Sequence, residues 1–422
     1  MSGDRPRVFL YQEHLDALRS RLGSQLTSVQ ADALGMALDG GEVFHVYLQP
    51  PQAHFAGRPC RAHVVVSESS PGAVPQPPDD AVEVVVMVEI RGDRLSGRGT
   101  VWRADGPVPA DVTLVPVSAD IYSRSKGLLE TDALAGKSVA VVGLGSGGST
   151  IAVALAQSGV GRLVLVDRDR LEVGNVARHA CGIGDLGRRK TSAVADLIHG
   201  KNPALQVVTA DVDIVREPEA AQEAIEGVDL LIAATDSDRS RFVLNQVALD
   251  NRIRAVFGRV LTRACGGEVL RVRPFEGPCL SCVYTERFLA QRPREYSSRS
   301  EAREDAPAYV GDDDLEATVQ VGLASDIAPV SNLMVKLALV ELSRGSAGGL
   351  DSLGDDLLAD FYVWANRREK VYASWPKMGY QFSQPSILRW YGANLARREG
   401  CLSCAPVHNV SSSYFGAPEG VR

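Results

Sequence analysis

The stretch Ser138-Val-Ala-Val-Val-Gly143-Leu-Gly145-Ser-Gly-Gly148 decides the fold of this 422-residue chain. Its first five residues form an apolar run that is typical of a buried parallel strand, and a glycine turn follows at once. The small and apolar residues from 149 to 159 predict a helix packed close to the sheet. Residues 162–166 predict a second strand, which ends on Asp167. The order strand, G-x-G-x-x-G, helix, strand, acid predicts a nucleotide-binding βαβ unit.

The residue types of this unit suit the binding of a nucleotide. Gly143, Gly145 and Gly148 let the backbone approach phosphate groups, and the N-terminus of the following helix offers free N–H groups and a partial positive charge. Asp167 stands where a carboxylate accepts hydrogen bonds from ribose hydroxyls. The motif alone does not say which nucleotide binds.

The residues that follow Asp167 narrow the choice of nucleotide. The chain places Asp169, Asn175, Arg178 and Lys190 shortly after that acid. A dinucleotide-binding dehydrogenase needs no such cluster, whereas cations stabilise the charge that builds on a triphosphate during attack at its α-phosphate. The pattern therefore favours an enzyme that handles a triphosphate. The alternative is that Arg178 and Lys190 are solvated surface charges.

These residues carry a family resemblance. After the glycine turn the chain reads D-x-D-x-x-x-x-x-N-x-x-R from Asp167 to Arg178, then G-x-x-K from Gly187 to Lys190, and later Thr235-Asp236. In this order the motifs resemble those of the ubiquitin-activating, ThiF/MoeB/HesA-type adenylyltransferases. The resemblance runs from about Tyr122 to Cys404, and its look is closest to members of bacterial ubiquitin-like conjugation operons.

The resemblance implies a doubly wound, mostly parallel Rossmann-like α/β sheet that binds ATP and Mg²⁺. Asp236 matches the family's metal-binding acid, and a carboxylate at the end of a central parallel strand can hold Mg²⁺ against a triphosphate. Arg124 matches an arginine that reaches the partner subunit's nucleotide site, which implies a homodimer. The alternative for Arg124 is a surface position in a linker. As a helix N-cap for the segment that follows, Asp238 suits better than Asp236.

Four of the seven cysteines form two C-x-x-C pairs, Cys279-Leu-Ser-Cys282 and Cys401-Leu-Ser-Cys404. Four thiolates are the tetrahedral set of a structural zinc site. A metal there would tie a C-terminal extension back to the fold across a long loop. The alternative, two redox pairs, lacks a thioredoxin-like setting.

Composition excludes several classes of function. The net charge of -7 and the lack of a basic block argue against a nucleic-acid partner. No apolar run reaches membrane-spanning length, and the N-terminal residues have no apolar segment typical of a signal peptide. The cysteine usage predicts a reducing, cytoplasmic location.

The chain divides into a predicted N-terminal α+β domain at 1–120, an adenylation domain at 121–404 and a tail at 405–422. Apolar residues at helical spacing predict a helix over 10–38, and the runs beyond it predict strands. This order resembles a JAB-type domain, but the histidines lack the H-x-H spacing of the active enzymes. The region is interpreted as a non-catalytic docking domain or as a structural extension that supports a dimer.

The resemblance implies adenylation of a C-terminal carboxylate, followed in some relatives by transfer to a cysteine. The family's crossover segment corresponds to residues 284–315, which contain no cysteine. Cys181 is then the candidate for thioester formation, with His179 and nearby cations expected to lower its pKa. The alternative is that Cys181 is a small buried apolar residue.

Three functions remain open on the sequence. The first is activation of a ubiquitin-like protein for a conjugation or antiviral system, or of a sulfur carrier, with a carrier enzyme as a further partner. The second is adenylation of a short peptide in antibiotic synthesis. The third is a nucleotide-dependent scaffold or an NAD-binding oxidoreductase.

Overall fold

The computed structural model describes residues 5–20, 22, 27–49, 57–68, 73–116, 121–125, 131–285, 303, 322–346, 351–375 and 386–405. The chain forms two compact units. The first comprises residues 1–126 with 202–204, and the second comprises 127–201 with 205–422. Most of the predicted crossover segment, 284–315, and nearly all of the predicted tail, 405–422, lie outside the described residues.

The first unit is a closed barrel of seven strands. The strands are β1 (Arg7–Tyr11), β2 (Ser28–Leu38), β3 (Val43–Tyr47), β4 (Arg58–Ser67), β5 (Val82–Arg91), β6 (Arg94–Arg103) and β7 (Gly106–Val115). They follow the order β1-β3-β2-β4-β5-β6-β7, and the barrel closes where β1 pairs with β7 in parallel. Alternate side chains fill the interior, among them Val8, Leu10, Val64, Val84 and Val86.

The predicted helix over 10–38 is wrong, and with it the helical part of the predicted α+β domain. Among the described residues of this stretch, only a 3-10 turn at Gln12–Leu15 and the short helix α1 (Asp16–Arg19) are helical. β2 pairs with β4 along Ser28–Ala37. Its sequence Val-Gln-Ala-Asp-Ala-Leu-Gly from Val29 alternates small apolar residues with larger or polar ones, and this period of two overrides the helical spacing of the leucines.

The second unit is built on one eight-stranded sheet. Its strands are β8 (Ser138–Val142), β9 (Arg162–Val166), β10 (Gln206–Ala210), β11 (Leu230–Ala233), β12 (Arg254–Val260), β13 (Gly266–Val272), β14 (Phe361–Ala365) and β15 (Arg389–Ala393). The order is β10-β9-β8-β11-β12-β13-β14-β15. The strands from β10 to β12 pair in parallel, and β13, β14 and β15 continue the sheet antiparallel.

Helices connect and cover these strands. They are α2 (Thr131–Ala135), α3 (Ser146–Gln157), α4 (Val173–Val176), α5 (Lys190–His199), α6 (Pro218–Ala224), α7 (Asp238–Asp250), α8 (Leu280–Val283), α9 (Ala324–Ser343) and α10 (Asp351–Asp356). The predicted doubly wound α/β fold is confirmed. In the part of the chain that is described, no helix is long and apolar enough to cross a lipid bilayer.

The strand order fixes where a ligand can bind. The chain moves outward from β8 through β9 to β10 and then returns to the other side of β8 with β11. In such open sheets the crevice lies beyond the carboxyl ends of the two strands at which the order reverses. Here those strands are β8, which runs into the glycine turn, and β11, which runs toward Thr235 and Asp236. The fold therefore brings two of the predicted motifs to the same edge.

Candidate functional site

The glycine turn is held in a tight shape against the end of β11. Gly143 has a φ of +86°, and a Cβ atom at this position would lie 2.8 Å from the carbonyl oxygen of Ala234. At Gly148 a Cβ would lie 1.8 Å from the carbonyl oxygen of Gly143. Gly145 is different, because a Cβ there would meet no atom within 4 Å, and this residue caps the N-terminus of α3. Two glycines are thus needed for packing, and the third faces open space where a ligand can approach.

Asp167 connects β9 to the glycine turn. One carboxylate oxygen accepts the N–H of Leu144 at 2.6 Å, and the other accepts the N–H of Asp169 at 2.8 Å. Burial raises the pKa of this carboxyl group, against the opposing attraction of Lys190 and the two N–H groups. The structure thus adds a bracing role for Asp167, which the sequence suggested only as a ribose ligand.

Lys190 begins α5 and folds back onto the end of β9. Its ammonium lies 2.9 Å from the carboxylate of Asp169, and its backbone N–H donates to the carbonyl of Asp169 at 3.0 Å. Burial by itself lowers the pKa of the ammonium, but attraction to Asp167, Asp169 and Asp236 outweighs it and raises the pKa. Lys190 is therefore a buried, charged group among three carboxylates, and the alternative of a solvated surface charge is wrong.

The segment between Asp169 and Lys190 carries Asn175 and Arg178. Asn175 lies in α4, and its side-chain oxygen accepts the N–H of Glu172 at 3.0 Å in a capping box. Arg178 follows α4 and is half-buried. No ion pair of Arg178 occurs among the residues that the structure describes. Its charge is therefore available for a ligand in a way that the charge of Arg188, which pairs with Asp185 and Asp196, is not.

His179 and Cys181 lie in the interior beside the glycine turn. Nε2 of His179 is 2.8 Å from the carbonyl oxygen of Leu144, and Nδ1 accepts the N–H of Cys181 at 3.0 Å. Burial lowers the pKa of His179, which favours the neutral imidazole. Burial also raises the pKa of the Cys181 thiol to about 12. The expectation that His179 and nearby cations lower the pKa of Cys181 is wrong, because desolvation disfavours the thiolate.

Asp236 lies just beyond β11, with its side chain exposed. It interacts electrostatically with both Lys190 and the buried Arg241. The loop is fixed by its neighbours, since Ser237 caps α7 by accepting the N–H of Ser240 at 3.1 Å. Ser237, rather than Asp238 or Asp236, is therefore the N-cap. An exposed carboxylate on a fixed loop is the ligand type that Mg²⁺ prefers.

Two arginines behind this loop belong to none of the predicted motifs. Arg241 and Arg259 are both buried, and both pair with the same oxygen of Asp238, at 3.0 Å and 2.9 Å. Arg241 also donates to the carbonyl of Thr235. The helical spacing of Asp238 and Arg241 is a visible signal of their ion pair. No sequence signal indicates that Arg259, which lies in β12, joins this ion pair.

Arg124 lies exposed in a turn at 121–125 of the first unit. Its predicted role in a partner's nucleotide site stays a prediction, as do the individual phosphate, ribose and metal contacts assigned to the other residues.

The four predicted zinc ligands meet on one side of the second unit. All four sulfur atoms lie within 4.8 Å of one another, and three of the separations are 3.5, 3.7 and 3.8 Å. A tetrahedron with zinc–sulfur bonds of about 2.3 Å has sulfur atoms about 3.8 Å apart. The two loops also contact each other at equivalent positions, where Ser281 and Ser403 share a hydrogen bond of 2.7 Å. This cluster of Cys279, Cys282, Cys401 and Cys404 fits a tetrahedral metal ion.

The chain is similar in sequence to several known proteins. Ubiquitin-like modifier-activating enzyme 5 of Drosophila ananassae is 27% identical over 219 residues, which are 48% of this chain and 54% of that protein. The SAMP-activating enzyme E1 of Haloferax volcanii is 31% identical over 149 residues, which are 35% of this chain and 53% of that protein. The uncharacterized protein y4oA of Sinorhizobium fredii is 31% identical over 228 residues, which are 49% of this chain and 38% of that protein. The chain thus spans about half the length of the curated relatives it matches, or less.

Among solved structures, the crystal structure of E. coli MccB has a TM-score of 0.49 and 14% sequence identity, over 68% of this chain and 72% of that one. The sequence model of the ThiF family matches residues 120–346, which contain the glycine turn, Asp167, Lys190 and Asp236. Because that match covers more than half of its 422 residues, the chain belongs to the ThiF family.

Proposed function

We propose that this protein uses ATP to adenylate the C-terminal carboxylate of a ubiquitin-like protein. One observation carries the proposal: the crevice at the reversal of strand order is lined by the glycine turn, by the buried cation Lys190 and by the exposed carboxylate of Asp236. This set suits a triphosphate better than a dinucleotide. A dinucleotide needs neither a buried lysine nor a second acid across the crevice.

In the proposed reaction, a carboxylate oxygen of the substrate attacks the α-phosphorus of ATP. A bond forms between that oxygen and the phosphorus, the bond to the bridging oxygen breaks, and pyrophosphate leaves. The carboxylate is already ionised at neutral pH, so the reaction needs no general base. Catalysis therefore depends on the positioning of the two reactants and on the neutralisation of the charge that develops.

Each residue then has a distinct task. The glycine turn and the N-terminus of α3 hold phosphate oxygens, and Asp167 braces the turn and binds ribose. Lys190 and Arg178 stabilise the negative charge that builds during attack, with Asn175 and Asp169 beside them.

A Mg²⁺ ion bound at Asp236 would neutralise part of the triphosphate charge. Arg124 would complete the site of a partner subunit in a homodimer.

The cysteine cluster would hold a structural zinc ion. Its two C-x-x-C pairs are 122 residues apart in sequence, so the metal would close a long loop and fix the chain that follows β15. Zinc there has no part in the adenylation step, because all four ligand positions are taken by protein thiolates.

After adenylation, the activated substrate can be transferred by one of two routes. Transfer to a cysteine of this chain needs an accessible thiolate, and burial argues against Cys181. Direct delivery of the adenylate to the cysteine of a carrier enzyme needs no such residue. We therefore propose the second route, within a cytoplasmic ubiquitin-like conjugation system that serves antiviral defence. In this proposal the N-terminal barrel is a docking domain.

Pyrophosphate exchange tests the proposal. The full chain is incubated with ATP, Mg²⁺ and labelled pyrophosphate, and with either a small protein that ends in a flexible tail or a short peptide. Label entering ATP only with the small protein supports the proposal. Label entering ATP only with the peptide supports the alternative of peptide adenylation, and tight binding of NADH without exchange would overturn both.

A further inference from the structure

His179 contacts the glycine turn through its imidazole ring. Only 9% of its surface is exposed, and its two ring nitrogens have different partners. Nε2 lies 2.8 Å from the carbonyl oxygen of Leu144, inside the turn. Nδ1 lies 3.0 Å from the backbone nitrogen of Cys181.

These partners fix the form of the imidazole. A carbonyl oxygen can only accept, so Nε2 must carry a hydrogen, whereas a backbone N–H can only donate, so Nδ1 must be bare. A protonated ring would lose the bond from Cys181, and its charge would be repelled by the ammonium of Lys190, against the attraction of Asp185. The geometry therefore requires the neutral Nε2–H tautomer.

A second contact fixes the same segment. The N–H of Ala180 donates to the hydroxyl of Ser149 at 3.2 Å, and Ser149 is fully buried in the first turn of α3. Residues 179–181 are thus joined both to the glycine turn and to the helix that starts from it. Arg178 is the residue immediately before this anchored segment, and its side chain has no ion pair within the described ranges.

We infer that His179 is a positioning residue, which couples Arg178 to the phosphate-binding turn so that both meet the same nucleotide. This inference rests on the proposed function. An arginine at the end of a loop has many conformations, and a cation contributes to rate only when it is in place before charge develops. His179 supplies that placement, although it does not itself touch the nucleotide.

A double-mutant cycle on pyrophosphate exchange tests the coupling. Arg178→Ala is expected to lower the rate by about 10²–10³. His179→Ala is expected to lower the rate by about 10- to 100-fold in the native background, and by less than about threefold once Arg178 is already alanine. Equal losses in the two backgrounds would show that His179 acts independently of Arg178 and would overturn the inference.

Conservative variants separate positioning from folding. His179→Gln keeps a donor for the carbonyl of Leu144 and an acceptor for the N–H of Cys181, so it should restore most of the rate lost in His179→Ala. The control is His199→Gln, at the C-terminal end of α5, which should leave the rate unchanged. If glutamine fails to restore the rate although the variant melts at the native temperature, the inference is wrong.

A measurement on the native protein does not depend on activity. Nitrogen NMR of histidine-labelled protein should give a protonated Nε2 and a bare Nδ1 for His179, and the amide of Cys181 should exchange slowly with solvent. The opposite tautomer would overturn the inference. If the native protein shows this tautomer but no pyrophosphate exchange with any substrate, the proposed function fails while the structural coupling stands.

Discussion

The ammonium of Lys190 is held 2.9 Å from the carboxylate of Asp169, so the cation expected to meet ATP already has an anionic partner. The lysine side chain is buried, whereas 53% of the aspartate side chain is exposed. Asp169 can therefore turn toward solvent at small cost, while Lys190 cannot. A phosphate group that enters the crevice would compete for the ammonium and would leave the aspartate solvated. The ion pair holds the lysine extended before the nucleotide arrives.

Replacement of Lys190 by methionine should lower the rate of pyrophosphate exchange by about 10²–10³, because it removes one of the cations proposed to act at the reacting phosphates. Methionine fills a similar volume, so the packing around α5 should remain. Lys201→Met is the matched control, since that lysine is exposed beyond the end of the same helix. A Lys190→Met variant with native exchange would show that the buried ammonium has only a structural role.

Two glycines of the turn should respond differently to alanine. Gly148→Ala should cost more than about 2 kcal/mol of stability even without nucleotide, because the new Cβ would lie 1.8 Å from the carbonyl oxygen of Gly143. The Cβ of Gly145→Ala meets no atom within 4 Å, so this variant should lose only about 1 kcal/mol, the usual effect of alanine at a helix N-cap. It should also weaken ATP binding, because the backbone at this position is proposed to face the phosphates. Chemical denaturation and calorimetry with ATP measure the two effects. Equal stability losses in both variants would contradict the assignment.

Asp236 and Asp238 form a second matched pair. Asp236→Asn should abolish pyrophosphate exchange at native stability, since its exposed carboxylate is proposed to bind Mg²⁺. Asp238→Asn should instead cost on the order of 2 kcal/mol, because two buried arginines share this carboxylate. Exchange assays over a range of Mg²⁺ concentrations, together with denaturation curves, separate the two outcomes. Normal exchange by Asp236→Asn would remove the proposed metal site.

The second unit could be predicted from sequence because its signals are local and mutually consistent. The apolar runs at 138–142, 162–166 and 230–233 are parallel strands buried on both faces, and such strands leave an unbroken hydrophobic pattern. The glycine turn and Asp167 then fix the direction of the chain between them. Side-chain contacts such as that between His179 and Leu144 have no counterpart in spacing, since they depend on how the segments fold back.

The barrel is harder to predict from sequence, because residues 10–38 show both a helical spacing of leucines and the alternation typical of a strand. Leu34 fits a helical series, yet it lies on the exposed side of β2, while the small residues Val29 and Ala37 face the interior. Local periodicity could not decide between these patterns. The long pairing with β4, which is remote in sequence, decided it. The pKa of Cys181 could not be predicted for a similar reason. Burial sets this pKa, and burial is not visible in the residues next to Cys181 in the sequence.

The cysteine cluster predicts one bound zinc ion for each chain, measurable by elemental analysis of the purified protein. Cys282→Ser should lose the metal and unfold at a lower denaturant concentration, because a tetrahedral thiolate site cannot keep its affinity with a hydroxyl ligand. Ser281→Ala is the control, since it removes only the hydrogen bond to Ser403. Retention of zinc by Cys282→Ser, or protein that is fully stable without any metal, would contradict a structural zinc site.

Cys181 should be inert in the native protein. A thiol whose pKa is raised to about 12 has a thiolate fraction of about 10⁻⁴ at pH 8, and the side chain is also buried. Iodoacetamide at pH 8 should therefore label Cys181 only after unfolding, as peptide mass spectrometry can show. In the presence of ATP and an adenylated substrate, any adduct that dithiothreitol removes should survive Cys181→Ala. Loss of that adduct in the variant would instead establish Cys181 as the acceptor, and would require the segment that carries it to open during the reaction.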